Sequence, residues 1–227
     1  MGWRPVMLPR PVVSAGMDDA TTFSRQGTRV VTIATRGAAA RATVDGMRKA
    51  HYEQDLAGMG FQTWDRCDGD AGTVHFICLA DGVPVASLRS ARGDLAASGE
   101  VASAFPDLEA ALPAGTAEYL YLSRQLVVPG FRGTGLAALI AHVAAAWWTA
   151  HSSLDYALAV SRESTLGNAR ALGGTVLAGP VSHGPDKVPF FLMGGQLPAL
   201  AKQTGHLLGQ FGWSSAADPV ADGESVT

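Results

Sequence analysis

Charge is scarce in this chain. Only 16% of its 227 residues are Asp, Glu, Lys or Arg, and the formal net charge is −3. The low charge leaves 47% hydrophobic residues, enough for a sizeable core, and excludes wholesale disorder. The net negative balance excludes a bulk electrostatic grip on nucleic acid, which needs a basic field. Cysteine is scarcer still. Cys67 and Cys78 form neither a CxxC pair nor a metal-ligand spacing, so they read as reduced thiols. No pair among the six histidines has ligand spacing, so no metal is expected. Long apolar runs are also missing. The most apolar window, LAALIAHVAAAWW, is too short to span a bilayer and carries His142. The first residues, MGWRPVMLPRPVV, lack the continuous apolar stretch of a secretory signal. The expectation is a cytoplasmic protein with no membrane span and no nucleic-acid partner.

Periodicity then divides the chain. Residues 1–25 are Pro-containing and aperiodic, and read as a loose lead-in. TRVVTIAT has strand composition, and residues 38–57 form a helical pattern with Val44, Met47, His51 and Leu56 near one face. TVHFICLA and VPVASLR flank Asp81-Gly82, a pair suited to the positive φ of a tight hairpin turn. FPDLEAAL reads as a short helix, and EYLYLSRQLVV as the strongest strand. Residues 133–151 follow as a buried helix, LDYALAV as a strand, and 163–172 as a helix stopped by Gly173-Gly174. TVLAG and KVPFFLMG read as two more strands joined by the loop PVSHGPD; LPALAKQTGHLLGQF reads as a last helix. Residues 26–212 are thus expected to form one mixed-sheet domain, with 213–227 as a mobile tail.

The joint between strand and helix, VVPGFRGTGLAALIAHV, carries the chemistry. A helix start gathers unpaired backbone N–H groups at one spot, and the helix dipole adds positive charge there. Gly133 and Gly135 remove Cβ atoms, so a ligand can come close to the backbone. Arg132 adds a permanent cation whose fork suits phosphate oxygens. The combination makes a diphosphate cradle. Gly133-Thr134-Gly135-Leu136-Ala137-Ala138 also reads G-x-G-x-x-A, the dinucleotide-binding fingerprint. That reading would want the strand to enter the first glycine almost directly, and an acid after the next strand. Four residues, Pro129 to Arg132, intervene instead, and Val160 is followed by Ser161-Arg162.

Arg132-Gly133-Thr134-Gly135-Leu136-Ala137, with Val128, Pro129 and Phe131 ahead of it, closely resembles the [QR]-x-x-G-x-[GA] signature of the GNAT acyltransferase superfamily. The resemblance implies an α/β (α+β) fold: a mixed, mostly antiparallel central sheet of about seven strands, flanked by helices on both faces and splayed at its two central strands. It implies an N-acyltransferase that takes acetyl-coenzyme A, a longer acyl-coenzyme A or an acyl carrier protein as donor. Leu126, Val127 and Val128 would meet the pantetheine amides, and Arg132, Gly133, Thr134, Gly135, Leu136 and Ala137 the pyrophosphate. The acceptor would be an amine of a small molecule or peptide. A homodimer stays open.

Residues 51–89 and 105–128 resemble more narrowly the acyl-homoserine-lactone (autoinducer) synthases and the related N-acyl amino acid synthases. Those proteins run an Arg-bearing helix, an acidic stretch, a hairpin and a strand carrying E-x-S-R. Ser123-Arg124 match its last two positions, Tyr121 stands where the glutamate would be, and Arg48 corresponds to the helix arginine. A non-catalytic acyl-coenzyme A sensor is the rival from another class.

Candidate catalytic residues are Tyr121 and Ser123, which alternate onto one face of the strand beside the loop, and His183 in PVSHGPD. The helix after LDYALAV has no tyrosine to protonate a departing thiolate, and Ser161, Ser164 or Asn168 would have to hold a water there. His142 reads as a satisfied core residue; Arg89 and Arg124 read as surface ion-pair partners or as contacts for an acidic acceptor.

Overall fold

TVHFICLA has almost no polar alternation, and every one of its residues is buried, as in a strand covered on both faces. It lies inside a single sheet. The computed structural model describes residues 19–55, 72–94, 100–183 and 187–215. In chain order these residues form β1 (Asp19–Arg25), β2 (Thr28–Thr35), α1 (Ala38–Asp55), β3 (Thr73–Ala80), β4 (Val83–Asp94), α2 (Glu100–Ala104) and α3 (Leu108–Ala111). Next come β5 (Glu118–Val127), α4 (Leu136–His151), β6 (Tyr156–Arg162), α5 (Leu166–Ala171), β7 (Thr175–His183), β8 (Val188–Gln196), α6 (Leu197–Gln210) and β9 (Ser214–Ser215).

The sheet order is β7-β8-β6-β5-β4-β3-β2-β1-β9. Every neighbouring pair is antiparallel except β5 and β6. A sheet with one parallel pair is not a doubly wound dinucleotide-binding sheet, so that reading of the glycines falls. The mixed, mostly antiparallel sheet holds, with nine strands among the described residues where about seven are expected. The two additional strands come from the ends. Asp19–Arg25 is a strand, not lead-in: it pairs with β2 through a Gln26-Gly27 turn whose residues take φ +48° and +80°. Ser214–Ser215 is not loose tail either, since it pairs with Ser24 and Phe23. Residues 1–18, Cys67 and 216–227 lie outside the described residues.

Alternation sorts the two faces. On β3, Val74, Phe76, Cys78 and Ala80 join the main core with α4, whereas Ile77 and Leu79 join Ala40 and Val44 of α1. On β5, Leu120 faces the α4 core, while Tyr119 and Tyr121 pack with Val101, Phe105 and Leu108 of the α2–α3 segment. Helices therefore cover both faces. The Ala-rich α4 is buried on the sheet side and packs α6 on its outer side. His142 belongs to that second contact, with Nδ1 3.0 Å from the Ala201 carbonyl and 3.3 Å from Thr204 Oγ1. Trp148 Nε1 donates to Ser90 Oγ at 2.8 Å, which donates to the Val74 carbonyl at 3.1 Å, so even the polar atoms under α4 are paired. Cys78 is fully buried against Thr32, and burial pushes its thiol up to about 12; it is a packing residue and no nucleophile.

Candidate functional site

β5 and β6 pair only from Leu120 to Leu122 and from Ala157 to Ala159. Both strands run on, to Val127 and Arg162, without pairing to each other, though each keeps its other neighbour. The splay leaves the second half of β5 with one edge unpaired, in the middle of the sheet. A local distortion accompanies it. Between Ser123 and Leu126 the register with β4 slips, with one extra residue on β5, and Arg124 takes φ +55°. That is a β-bulge, and it interrupts the inward–outward alternation of the strand from Arg124 onward. Gln125 accordingly reaches the loop, its Nε2 donating to the Ala137 carbonyl at 2.9 Å.

The gap opens into a cavity of about 840 Å³, bounded by β5, β6, β8, α5, α6 and the strand-to-helix loop. Its size suits an extended small-molecule ligand. Three arginines, Arg124, Arg132 and Arg162, line it, and no Asp, Glu or Lys does so among the described residues. In a protein of net charge −3, three guanidinium groups on one cavity wall are a local excess of positive charge.

The loop itself differs in detail from the six-residue nest expected. Pro129–Phe131 form a short 3-10 turn, and two amides of the motif are already bonded within the protein: Arg132 N–H to the Pro129 carbonyl at 3.2 Å, and Thr134 N–H to the Phe131 carbonyl at 3.4 Å. Those two are corrected out of the set that could receive a phosphate. The N–H groups of Gly133, Gly135, Leu136, Ala137 and Ala138 have no protein acceptor among the described residues; the first carbonyl of the helix, that of Gly135, goes to Leu139 N–H. Five amides at and just before the start of a 16-residue helix are thus left for an acceptor from outside the protein. Arg132 is exposed beside them, its Nε donating to the Val127 carbonyl at 3.2 Å.

The two glycines serve different needs. Gly133 has φ +77° and open space where a Cβ would stand, so a ligand can approach it. Gly135 has φ +88°, and an ideal Cβ there would lie 2.4 Å from Phe211 Cγ; its missing side chain makes room for the protein's own ring. The far side of the loop is fixed as well, with Trp213 Nε1 donating to the Thr134 carbonyl at 2.8 Å.

Of the strand residues assigned to pantetheine, Leu126 and Val127 line the cavity. Val128 does not: its side chain is in the main core and its N–H is bonded to the Val85 carbonyl at 3.0 Å. Of the catalytic candidates, Ser123 lines the cavity and accepts a 2.8 Å bond from Arg89 Nε. Tyr121 lies outside the cavity lining, under the α2–α3 segment with the Arg89 guanidinium carbon 6.0 Å from its ring centre. His183 is not in a loop: β7 extends to it, paired with Val188. Arg89 is 0% exposed, so it is no surface ion-pair partner. It sets a buried cation behind Ser123, on the face opposite α4.

Ser161 and Asn168 line the cavity and Ser164 does not. Ser161 Oγ lies 2.8 Å from Thr165 Oγ1, a hydroxyl pair on the cavity wall that the sequence reading missed. It also missed the wall made by β8 and α6, including Phe190, Met193 and Phe211. The sheet order, which sets β8 beside β6, brings in Phe190 and Met193, and the packing of α6 on α4 brings in Phe211. Burial raises the phenol pKa values of Tyr119, with a further push from Asp94, and of Tyr156; neither lines the cavity. Among the described residues no three His, Cys, Asp or Glu side chains converge as a metal site, and no helix is long and apolar enough to cross a membrane.

No protein-family model and no curated protein matches the chain. Solved structures do. FeeM, an N-acyl amino acid synthase from uncultured soil microbes, superposes with a TM-score of 0.64 at 15% identity, covering 81% of this chain and 97% of its own. BjaI, a coenzyme A-dependent acyl-homoserine lactone synthase with SAM and isopentyl-CoA, gives 0.55 at 17% identity, covering 76% and 79%. An acyl-CoA N-acyltransferase from Pseudomonas aeruginosa gives 0.55 at 14% identity, covering 73% and 98%. The chain has the fold of these proteins, and the resemblance read from its loop holds at the level of that fold.

Proposed function

We propose that this protein is an N-acyltransferase that moves an acyl group from an acyl-coenzyme A to an amine by direct attack within a ternary complex. One observation carries the reading: the open edge of β5 and the five amides of the loop and first turn of α4, which have no acceptor among the described residues, face the same cavity. Pantetheine carries two amides and can add to an open strand edge, while the diphosphate takes the helix start and Arg132. Three arginines along the wall, with no acid among the described residues that line it, favour a polyanionic donor over a neutral one. The solved structures of like fold support the same class, two of them coenzyme A or acyl-coenzyme A users by name.

The donor supplies an activated thioester; the chain supplies orientation. Holding amine and carbonyl together is worth several powers of ten in rate without any side-chain nucleophile. Ser123, fixed by Arg89, is a hydrogen-bonding group at the point where β5 leaves β6. The Ser161–Thr165 pair stands at the end of β6, and we assign to it the relay of the proton lost by the attacking amine to the departing thiolate, in place of a tyrosine.

A second reading narrows the acceptor to an amino acid or a homoserine-type amine, as in the synthases of like fold. The fold match favours it, since FeeM, an N-acyl amino acid synthase, superposes with a TM-score of 0.64. The proposed setting is the cytoplasm, with an acyl carrier protein as the alternative donor.

The test is thiol release from acetyl- and octanoyl-coenzyme A over a panel of amines, amino acids and peptides. Turnover with at least one amine is the expected result, with the acidic amino acids and other carboxylate-bearing amines ahead of simple amines if the second reading holds. Donor binding without turnover on any amine would make the protein an acyl-coenzyme A sensor.

A further inference from the structure

The cavity has an aromatic ring at its mouth that the proposed chemistry does not use. Phe211, at the end of α6, lines the cavity and is nonetheless 37% exposed, among the few large apolar side chains left in water. Its backbone is held at both ends, and its ring packs on the loop. Its N–H is bonded to the Leu207 carbonyl at 2.9 Å, its carbonyl accepts Arg25 Nε at 2.6 Å, and its ring lies on Gly135, the second glycine of the anion loop. Two residues on, Trp213 is stapled to Thr134 of the same loop. The ring is therefore pinned next to the amides of Gly135 and Leu136, which have no protein acceptor among the described residues. A rigid, half-wet aromatic face beside a phosphate site is a stacking platform for a planar base attached to that phosphate.

We propose that Phe211 stacks on the purine of a nucleotide-bearing donor, so that the site selects free coenzyme A thioesters over phosphopantetheine on a carrier protein. The inference rests on the donor-site reading above and adds to it the end of the donor that is recognised. A carrier-protein arm brings one phosphate and no base, and leaves this ring in water. Coenzyme A brings both, and covers it.

The test is calorimetric titration of the full chain with coenzyme A and, separately, with 4′-phosphopantetheine, for the native protein, F211A and F211L. F211L keeps apolar bulk on Gly135 while removing the π face, so loss of packing and loss of stacking are told apart. The expected result is tighter native binding of coenzyme A than of 4′-phosphopantetheine, a loss of about tenfold in coenzyme A affinity in both variants, and unchanged 4′-phosphopantetheine affinity. Equal loss for both ligands would make Phe211 a brace for the loop and overturn the inference, as would no loss for either. Native binding of 4′-phosphopantetheine as tight as that of coenzyme A overturns it too, while leaving the donor site standing. Native protein that binds neither ligand removes the donor site and the inference together.

Discussion

Arg132→Glu should lower affinity for coenzyme A by about a hundredfold while leaving the folded protein intact. A charge-assisted bond from guanidinium to phosphate is worth about 1.5–3 kcal/mol, and reversal replaces attraction with repulsion next to the same oxygens. About 3 kcal/mol in all corresponds to that factor. The cost to stability is small because Arg132 is exposed, and its Nε bond to the Val127 carbonyl lies at the surface. A matched reversal at Arg29, exposed on β2 and outside the cavity lining, controls for net charge and should leave affinity nearly unchanged. Equal losses in the two variants would mean that the protein field, not the loop, attracts the donor.

Gly135→Val should be the most damaging single change in the loop. The backbone there sits at φ +88°, which a β-branched residue resists, and the new Cβ would meet Phe211 Cγ at 2.4 Å. Strain and overpacking of about 1–3 kcal/mol each put the loss near 3 kcal/mol, a fall in melting temperature of about 10 °C for a chain of this size. Donor binding should go with it, since relieving the clash moves either the loop or Phe211. Gly133→Ala is the comparison. It has the same sign of φ, +77°, but no neighbour within 4 Å, so only the backbone term of about 1 kcal/mol applies. Thermal melts of the pair, with native protein alongside, separate the two. A Gly135→Val protein that melts with Gly133→Ala would show that Phe211 yields freely and that the ring is not pinned.

The contrast between those glycines marks what could be read in the sequence. Both positive φ values were legible from G-x-G, because only glycine fits them cheaply. Their separate reasons were not, because Phe211 lies 76 residues further on and reaches the loop only through the packing of α6. The main strands and helices followed from periodicity, and the Asp81-Gly82 turn has the two positive φ values its residues suggested, +50° and +75°. β1 was missed because DATTFSR buries only Phe23 and shows no alternation, as befits a polar strand near the sheet edge. β7 was cut short because Gly179-Pro180 reads as a break, although the strand passes through it with a shifted register to His183.

The site divides in the same way. Arg132 and the two glycines were visible as a motif. That Arg132 and Thr134 amides are already bonded was not, since a 3-10 turn ahead of the helix leaves no pattern in side chains. Tyr121 and Ser123 shared a face by alternation, but only the point at which β5 parts from β6 decides that Ser123 meets the cavity and Tyr121 packs away from it. Arg89 read as a surface residue because charge usually is; full burial against Ser123 is a tertiary fact.

The proposed grip on the donor's diphosphate is made by backbone amides at the start of α4. An amide-resolved ¹⁵N spectrum of the native protein, titrated with coenzyme A, tests it most directly. Gly133, Gly135, Leu136, Ala137 and Ala138 should shift downfield together and gain protection from solvent exchange, while Arg132 and Thr134, bonded to Pro129 and Phe131, should respond least. Saturation that leaves those five resonances where they began would contradict it, whatever the affinity.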